Sequence, residues 1–322
     1  MMSTHSKQRL LRRTQSACRV ALTATLLALA TWTSHAAEPR DFDTPRSRIV
    51  EGAGGVPLVV QEWGNPEGIP VLLIHGFSFG AVAFHQQVGL IAEQLHFVAP
   101  DLRGHGLSGK PWESEAYLGT EVWAEDIAAV VAAYELHNPV IVGWSFGGYV
   151  TLNYLRHCGS DCAAGVALVG SLAGLVTRPP PPDPSETGMP PPRGDARADD
   201  YAQFISGAEW VARVMTYAEP SAEDQRRKEM TIMMMPPHVR RAMLGLSLDN
   251  QDLAGELDVP VLFIHGEKDG SVPAASIADA VAALPNATAL PLPDVGHSPF
   301  EEVPELFNAA LLDFAQQVRG SQ

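Results

Sequence analysis

The sequence predicts an α/β fold built on a mostly parallel, eight-stranded sheet flanked by helices. Short apolar runs rich in valine, isoleucine and leucine alternate with longer helical patterns, which is typical of a parallel sheet covered on both faces. The composition, 46% hydrophobic and 18% charged over 322 residues, is that of an ordinary globular protein. This length fits either about two domains or one large α/β domain that carries an insertion.

Eight apolar runs are the predicted strands. The first two lie on either side of a glycine-rich turn at residues 52–55 and are expected to pair as an antiparallel hairpin. The predicted strands cover residues 47–51, 57–63, 71–74, 97–99, 140–142, 165–169, 259–264 and 288–291. The predicted helices cover residues 82–95, 120–136, 146–156, 274–284 and 303–318.

One long segment, between Gly170 and Val259, contains no strand-like run. It begins with two proline clusters, and because proline fixes φ and lacks an amide donor, this part is not expected to join the sheet. We predict a Pro-rich helical lid over residues 171–258, inserted between core segments 37–170 and 259–322. A disordered linker is the alternative, but the segment carries too many aromatic residues and methionines for one. The predicted helices of the lid cover residues 201–217, 222–233 and 238–248.

The first 36 residues have the features of a secretory signal. A basic stretch without acidic residues precedes an apolar run at residues 20–32, and Ser34-His35-Ala36 supplies small residues at both positions that a signal peptidase recognises. The run is shorter than the roughly 20 residues that span a bilayer, which disfavours the alternative of a permanent membrane anchor. We therefore predict a signal peptide at residues 1–36 and an exported protein, either periplasmic or secreted.

The charge balance argues against one class of partner. Lysine and arginine number 22 against 37 aspartate and glutamate residues, for a formal net charge of −15. Because such an acidic chain is poorly suited to tracking phosphates, no nucleic acid partner is expected. No membrane contact is expected once the signal is removed, and the oligomeric state stays open.

Two cysteines lie outside the predicted signal. Cys158 and Cys162 are four residues apart, and this spacing can close a small loop by a disulfide in an oxidising compartment. Two ordinary buried thiols are the alternative. We favour the disulfide, because export permits it and Gly159 lets the chain turn tightly.

A G-x-S-x-G motif at residues 143–147 is the first chemical signal. It directly follows a predicted strand and directly precedes a predicted helix, and this context is the one in which the motif presents an exposed, strained serine nucleophile. Ser145 is therefore the candidate nucleophile. An ordinary serine in a glycine-rich turn is the alternative.

A carboxylate and an imidazole follow the last two predicted strands. A serine hydroxyl needs a base, and the imidazole that serves as base needs a carboxylate to hold its tautomer. Asp269 lies in the loop after the seventh predicted strand, and His297 is the histidine that follows the eighth. The order Ser145, Asp269, His297 is the chain order of the triad in folds with this strand-turn-helix nucleophile.

Two backbone amides are candidate oxyanion donors. Attack on an ester creates a negatively charged oxygen that positioned N–H groups stabilise. The expected donors are the amide of Phe77, at the end of the third predicted strand, and that of Phe146, the residue after the candidate nucleophile. His75, two residues before Phe77, is expected to be structural rather than catalytic.

The candidate substrate-binding residues are Trp144, beside the candidate nucleophile, and Trp210 and Met233 in the predicted lid. For the methionine, packing between lid and core is the alternative. The sequence carries no H-E-x-x-H pattern, no phosphate-binding glycine loop and no nucleotide fingerprint. We therefore expect neither a metal nor a cofactor.

A resemblance to a known family rests on five motifs: His75-Gly76-Phe77, Asp101-Leu102-Arg103-Gly104-His105-Gly106-Leu107-Ser108, the elbow at residues 143–147, the Asp269 loop and Gly296-His297. Over about residues 47–318, except the predicted lid, the chain resembles the α/β-hydrolase fold family. It is most similar to the branch of serine esterases, lactonases and cofactor-free haloperoxidases. The resemblance implies Ser145 as nucleophile, Asp269 as acid and His297 as base. The elbow serine departs from the epoxide hydrolase and haloalkane dehalogenase branches, which carry aspartate there.

The sequence thus predicts an exported serine hydrolase, carboxylesterase-like, that cleaves an uncharged carboxylic ester or lactone through an acyl-enzyme on Ser145. One alternative is an aminopeptidase or amidase of the same fold, with Glu209, Glu219 or Glu223 holding a substrate ammonium. A second is a ligand-binding receptor on a hydrolase scaffold with vestigial turnover. Perhydrolysis as a side activity stays open.

Overall fold

The computed structural model describes residues 41–177, 180, 190–196 and 198–320. The predicted signal peptide at residues 1–36 lies outside the described residues, and so does most of the first proline cluster of the insertion. All the strands and helices named below belong to one compact unit, Phe42–Gln322.

The sheet has eight strands in the order β1-β2-β4-β3-β5-β6-β7-β8. Strand β2 runs antiparallel to both β1 and β4, and all other neighbours are parallel. This confirms the predicted mostly parallel sheet and its N-terminal hairpin. The strands are β1 Arg46–Glu51, β2 Pro57–Gly64, β3 Ile69–Ile74, β4 Leu95–Pro100, β5 Val140–Trp144, β6 Gly165–Val169, β7 Val261–Gly266 and β8 Ala287–Leu292.

Helices flank the sheet, which explains why its central strands are apolar throughout. Successive side chains on β3 point to opposite faces: Leu72 joins a buried cluster with Trp123, whereas Val71 joins a second cluster with Phe307. The helices outside the insertion are α1 Glu121–Ala133, α2 Phe146–Cys158, α6 Ala275–Ala282, α7 Pro299–Glu302 and α8 Pro304–Gly320.

Three helices lie between β6 and β7, in the described part of the insertion: α3 Tyr201–Val214, α4 Ala222–Met233 and α5 Pro237–Met243. Asp200 caps α3 by accepting a hydrogen bond from the Gln203 amide at 2.9 Å, and Ser221 caps α4 through the Asp224 amide at 3.1 Å. These side chains satisfy amides that have no partner inside the helix. In the described part of the chain, no helix is long and apolar enough to cross a membrane.

The predicted helix at residues 82–95 is wrong. Two short 3₁₀ turns, Ala81–Phe84 and Gly89–Ile91, occupy this region. Val88 is extended, and Gly89 takes a φ of 72°, so a right-handed helix cannot continue through them. The carbonyl of Gln87 accepts instead from the Trp63 indole at 2.8 Å, which ties the segment to β2.

The predicted disulfide is not formed in this structure, in which Cys158 and Cys162 are both free thiols. Cys158 ends α2, and the Cys162 thiol donates to its carbonyl oxygen across 3.1 Å. Carbonyls at a helix C-terminus lack partners within the helix, and this thiol supplies one. The alternative of two buried thiols fails as well, since Cys158 is exposed and Cys162 is partly exposed.

Candidate active site

Ser145 occupies the sharp turn between β5 and α2, with φ 52° and ψ −116°, an unfavourable conformation for an L residue. A β-carbon on Gly143 would lie 2.6 Å from the Thr151 hydroxyl oxygen. One on Gly147 would lie 2.1 Å from the Ile74 carbonyl oxygen. Both glycines of the motif are therefore needed for the turn to form, and the turn presents Ser145 at the C-terminal end of the parallel strands.

The loops after β7 and β8 bring a carboxylate and an imidazole together. His297 Nδ1 lies 2.7 Å from Asp269 Oδ2, and both side chains are buried. The other carboxylate oxygen accepts from the amides of Ser271 at 2.7 Å and Val272 at 2.9 Å. Burial favours the protonated acid, but His297 and the Val272 amide outweigh it, so the pKa of Asp269 lies below its usual value. The ionised carboxylate therefore holds the imidazole ring.

His297 is enclosed from two further sides. The Trp144 indole donates to the His297 carbonyl oxygen across 2.8 Å, and the two ring centroids are 5.7 Å apart. Gly170, at the end of β6, has a φ of 52°, and a β-carbon there would lie 3.0 Å from His297 Nδ1. The backbone around the imidazole thus leaves no room for a larger residue at position 170.

A cavity of about 680 Å³ opens onto Ser145 and His297, and Phe77 and Phe146 also line it. This volume is in the usual range for sites that bind small molecules. Much of the rest of the lining is apolar and comes from the insertion and from the loops after β6 and β7. It includes Leu172, Val176, Trp210, Met215, Met243 and Val272.

The predicted substrate-binding residues divide between the cavity and other parts of the fold. Trp210 lines the cavity, whereas Trp144 and Met233 do not. Trp144 is buried against Phe79 beneath the turn, where it supports His297. Met233, at the end of α4, is partly exposed on the surface. The two assignments fail because the sequence does not reveal which way an apolar side chain near a motif or on a helix faces.

The loop after β3 packs against the turn that carries Ser145. A β-carbon on Gly76 would lie 3.1 Å from the Ser145 β-carbon. His75 is buried, its Nε2 accepts from the Leu102 amide at 2.9 Å, and its Nδ1 lies 2.8 Å from the Gly76 carbonyl oxygen. Burial lowers the pKa of His75, so the ring is neutral at neutral pH and fits this donor and acceptor pattern. His75 therefore shapes the loop that carries Phe77.

The family model described as "Alpha/beta hydrolase family" matches residues 71–310 of the chain. The chain belongs to the alpha/beta hydrolase family. Among similar structures is a "putative aryl esterase" from Burkholderia cenocepacia, with 31% identity, a TM-score of 0.77, and coverage of 85% of this chain and 100% of that one.

Curated relatives of this hydrolase include esterases and haloperoxidases. A non-heme chloroperoxidase of Streptomyces lividans is 26% identical over 83% of this chain and 99% of its own length. A pimeloyl-[acyl-carrier protein] methyl ester esterase of Vibrio cholerae is 25% identical over 77% of this chain and 95% of its own length. These similarities support ester hydrolysis as the general activity, and they confirm the resemblance that the motifs indicate.

Two charged residues near the site of this hydrolase carry no signal in the sequence. Glu302 of α7 accepts from the Gly296 amide at 2.7 Å, beside His297, and from the Tyr217 amide of the insertion at 2.8 Å. Arg240 of α5 is buried and lines the cavity. In the sequence, nothing distinguishes Glu302 from its neighbour Glu301, and nothing distinguishes Arg240 from its neighbour Arg241. Among the residues that the structure describes, no three metal-ligating side chains group closely enough to hold an ion.

Proposed function

We propose that this hydrolase is an exported serine esterase that cleaves an uncharged carboxylic ester or lactone through an acyl-enzyme on Ser145. The observation that carries the proposal is the buried hydrogen bond between Asp269 and His297, at a cavity that Ser145 also lines. An imidazole oriented in this way is the base that a serine hydroxyl requires.

In the acylation step, Ser145 Oγ attacks the ester carbonyl carbon while His297 Nε2 takes its proton. Asp269 accepts the hydrogen bond from Nδ1 and stabilises the imidazolium that forms. The amides of Phe77 and Phe146 stabilise the oxyanion. In other enzymes, the removal of one such donor lowers kcat by about 10²–10³-fold. The imidazolium then protonates the departing alkoxide, which leaves as an alcohol.

In the deacylation step, water enters where the alcohol left. His297 removes a proton from the water, the resulting hydroxide attacks the acyl carbon, and Ser145 departs with the proton returned by the imidazolium. With a lactone, the alcohol and the acid belong to one molecule, so the product is a hydroxy acid. The largely apolar lining of the cavity supports an uncharged substrate, since apart from Asp195 and Arg240 the described residues that line it offer a substrate charge no ionised partner.

Ser145→Ala tests the proposal. Hydrolysis of a chromogenic short-chain ester is expected to disappear while circular dichroism stays native, because the alanine removes only the hydroxyl. Labelling of the wild type with a fluorophosphonate, followed by peptide mass spectrometry, is expected to locate the probe on Ser145. An alanine variant with wild-type rate, or a label on another residue, contradicts the assignment.

The amidase alternative receives no support from the three predicted glutamates. Glu209 is exposed, Glu219 and Glu223 have side chains about four-fifths exposed, and none of them lines the cavity. Among the described residues of the insertion, Asp195 is the carboxylate that lines the cavity. Comparing an ester with its matching amide separates the two activities, and turnover beyond one equivalent of product removes the receptor alternative.

Export is the part of the proposal that depends on the sequence of residues 1–36. Expression of the full chain in a bacterium, followed by separation of periplasm, medium and cytoplasm, is expected to give a processed protein outside the cytoplasm. Its N-terminus, determined by mass spectrometry, is expected at Ala37. An unprocessed chain that stays in the cytoplasm contradicts export without affecting the esterase assignment.

A further inference from the structure

Arg240 connects the insertion to the loop that carries Phe77. The side chain is 2% exposed and lies on α5. Its Nη1 donates to the Ser78 hydroxyl oxygen across 2.8 Å. The other two nitrogens donate to main-chain oxygens near the end of α4: Nε to Met235 at 3.1 Å, and Nη2 to Ile232.

Arg240 has no acidic partner among the residues that the structure describes. No carboxylate in the described part of the chain lies within ion-pair distance of its guanidinium, which instead sits 5.2 Å from the centre of the Phe204 ring. Burial lowers the pKa of Arg240 to about 10, so the group remains a cation at neutral pH. The carbonyls that it binds are at the C-terminal end of α4, where the helix dipole favours positive charge. The helix end therefore stabilises the cation.

Ser78 lies between Arg240 and the candidate oxyanion donor Phe77. It directly follows Phe77, lines the same cavity and has a φ of 68°. A serine in this left-handed region is strained, and such a conformation persists only where surrounding contacts maintain it. The hydrogen bond from Arg240 is one of those contacts, and it is buried and charge-assisted.

We propose that Arg240 is a positioning residue: by holding the Ser78 side chain, it keeps the Phe77 amide directed at the oxyanion of the reacting ester. The inference rests on the proposed function, in which Phe77 supplies that amide. It assigns a mechanistic role to the insertion, since α5 carries the arginine and the end of α4 stabilises its charge. The role of Arg240 is the same for esters and lactones of any acyl length, because the Phe77 amide acts at the carbonyl oxygen that all of them share.

Ser78→Ala is the mildest test, because it removes the acceptor while Arg240 keeps its two contacts at the end of α4. We expect kcat to fall about 10-fold, less than the loss of a whole oxyanion donor, with KM changing less than about 2-fold. Affinity for an alkyl boronic acid, which mimics the tetrahedral oxyanion, is expected to fall with kcat/KM. Arg240→Gln is expected to lose more, and Arg240→Lys to recover part of the loss, since lysine keeps the charge and a donor.

Arg241→Gln is the matched control. Arg241 neighbours Arg240 on α5, is about half exposed and pairs with exposed Asp199, so its loss is expected to leave kcat and boronate affinity unchanged. The Ser78→Ala, Arg240→Gln double variant is expected to match Arg240→Gln alone, because the two residues act through one bond.

Wild-type kcat and boronate affinity in folded Ser78→Ala would overturn the inference, and so would fully additive losses in the double variant. Either result leaves the esterase proposal intact as long as Ser145→Ala is inactive. If Ser145→Ala keeps its activity, the proposed function fails first. Thermal unfolding of each variant shows whether a loss of activity comes from unfolding or from a displaced Phe77 amide.

Discussion

The Asp269 carboxylate is held on both of its oxygens: Oδ2 lies 2.7 Å from His297 Nδ1, while Oδ1 accepts the amides of Ser271 and Val272. These contacts leave the carboxylate no freedom to rotate away from the imidazole. In a hydrolase that uses His297 as base, this restraint selects the tautomer that has its proton on Nδ1 and leaves Nε2 free to take one.

Asp269→Asn is expected to lower kcat by roughly 10⁴-fold while the protein stays folded, because an amide can hold the imidazole in the wrong tautomer. The measurement is steady-state hydrolysis of a chromogenic ester. Asp294→Asn is the control: Asp294 is exposed in the same loop as His297, and asparagine tolerates its φ of 56°. A loss of similar size in both variants would mean that the loop, rather than the tautomer, was disturbed.

The same carboxylate is expected to contribute to acid unfolding. Since the pKa of Asp269 is lower in the folded protein than in the unfolded chain, its contribution to stability is complete above about pH 4 and is lost as the pH falls through the folded pKa. The stability difference between wild type and Asp269→Asn is therefore expected to be largest at neutral pH and to shrink towards pH 3. Denaturant unfolding across this range measures it, and a constant difference would contradict the lowered pKa.

Gly170→Ala is expected to lower the rate of hydrolysis, because the added β-carbon contacts His297 as well as straining the backbone. The β-carbon would meet His297 Nδ1 at 3.0 Å, and a displaced imidazole can cost about 10²-fold in rate. Gly54→Ala is the matched control, since Gly54 also has a positive φ, 65°, but nothing lies within 4 Å of the added carbon. Both variants are expected to lose about 1–2 kcal/mol of stability, and only Gly170→Ala to lose activity. Equal activities would contradict the packing argument.

The strand pattern could be predicted from sequence because the central parallel strands, such as β5 and β6, are buried on both faces. In β6, every residue from Gly165 to Val169 is buried, and the apolar run marks the strand ends correctly. The region at residues 82–95 misled the prediction because its apolar spacing is helical. The left-handed φ of Gly89 overrides that spacing. Distant contacts hold the segment, from the Gly89 amide to Asp43 and from the Trp63 indole to the Gln87 carbonyl, and the local sequence does not contain them.

The candidate triad could be proposed from sequence because each member follows a recognisable strand, and the chain order limits the choices. The supporting groups could not be found this way. Arg240 and Ser78 are 162 residues apart and form one hydrogen bond, and neither lies in a motif. Trp144 is a related case, because a tryptophan next to the nucleophile fits a pocket or a core equally well until the fold shows which side it faces.

Glu302 provides the last prediction, since its carboxylate joins the insertion to the loop of His297. Oε1 accepts the Gly296 amide, and Oε2 accepts the amides of Tyr217 and Ala218. In Glu302→Gln one of these oxygens becomes an amide nitrogen that faces N–H donors, so one side of the link must open, at a cost of about 1–3 kcal/mol. We expect lower thermal stability, several-fold lower kcat and faster hydrogen exchange at Tyr217 and Ala218. Glu305→Gln, three residues on and exposed, is expected to change none of these. Unaltered exchange in Glu302→Gln would show that other contacts hold the insertion, because the link through this carboxylate is the one that the substitution removes.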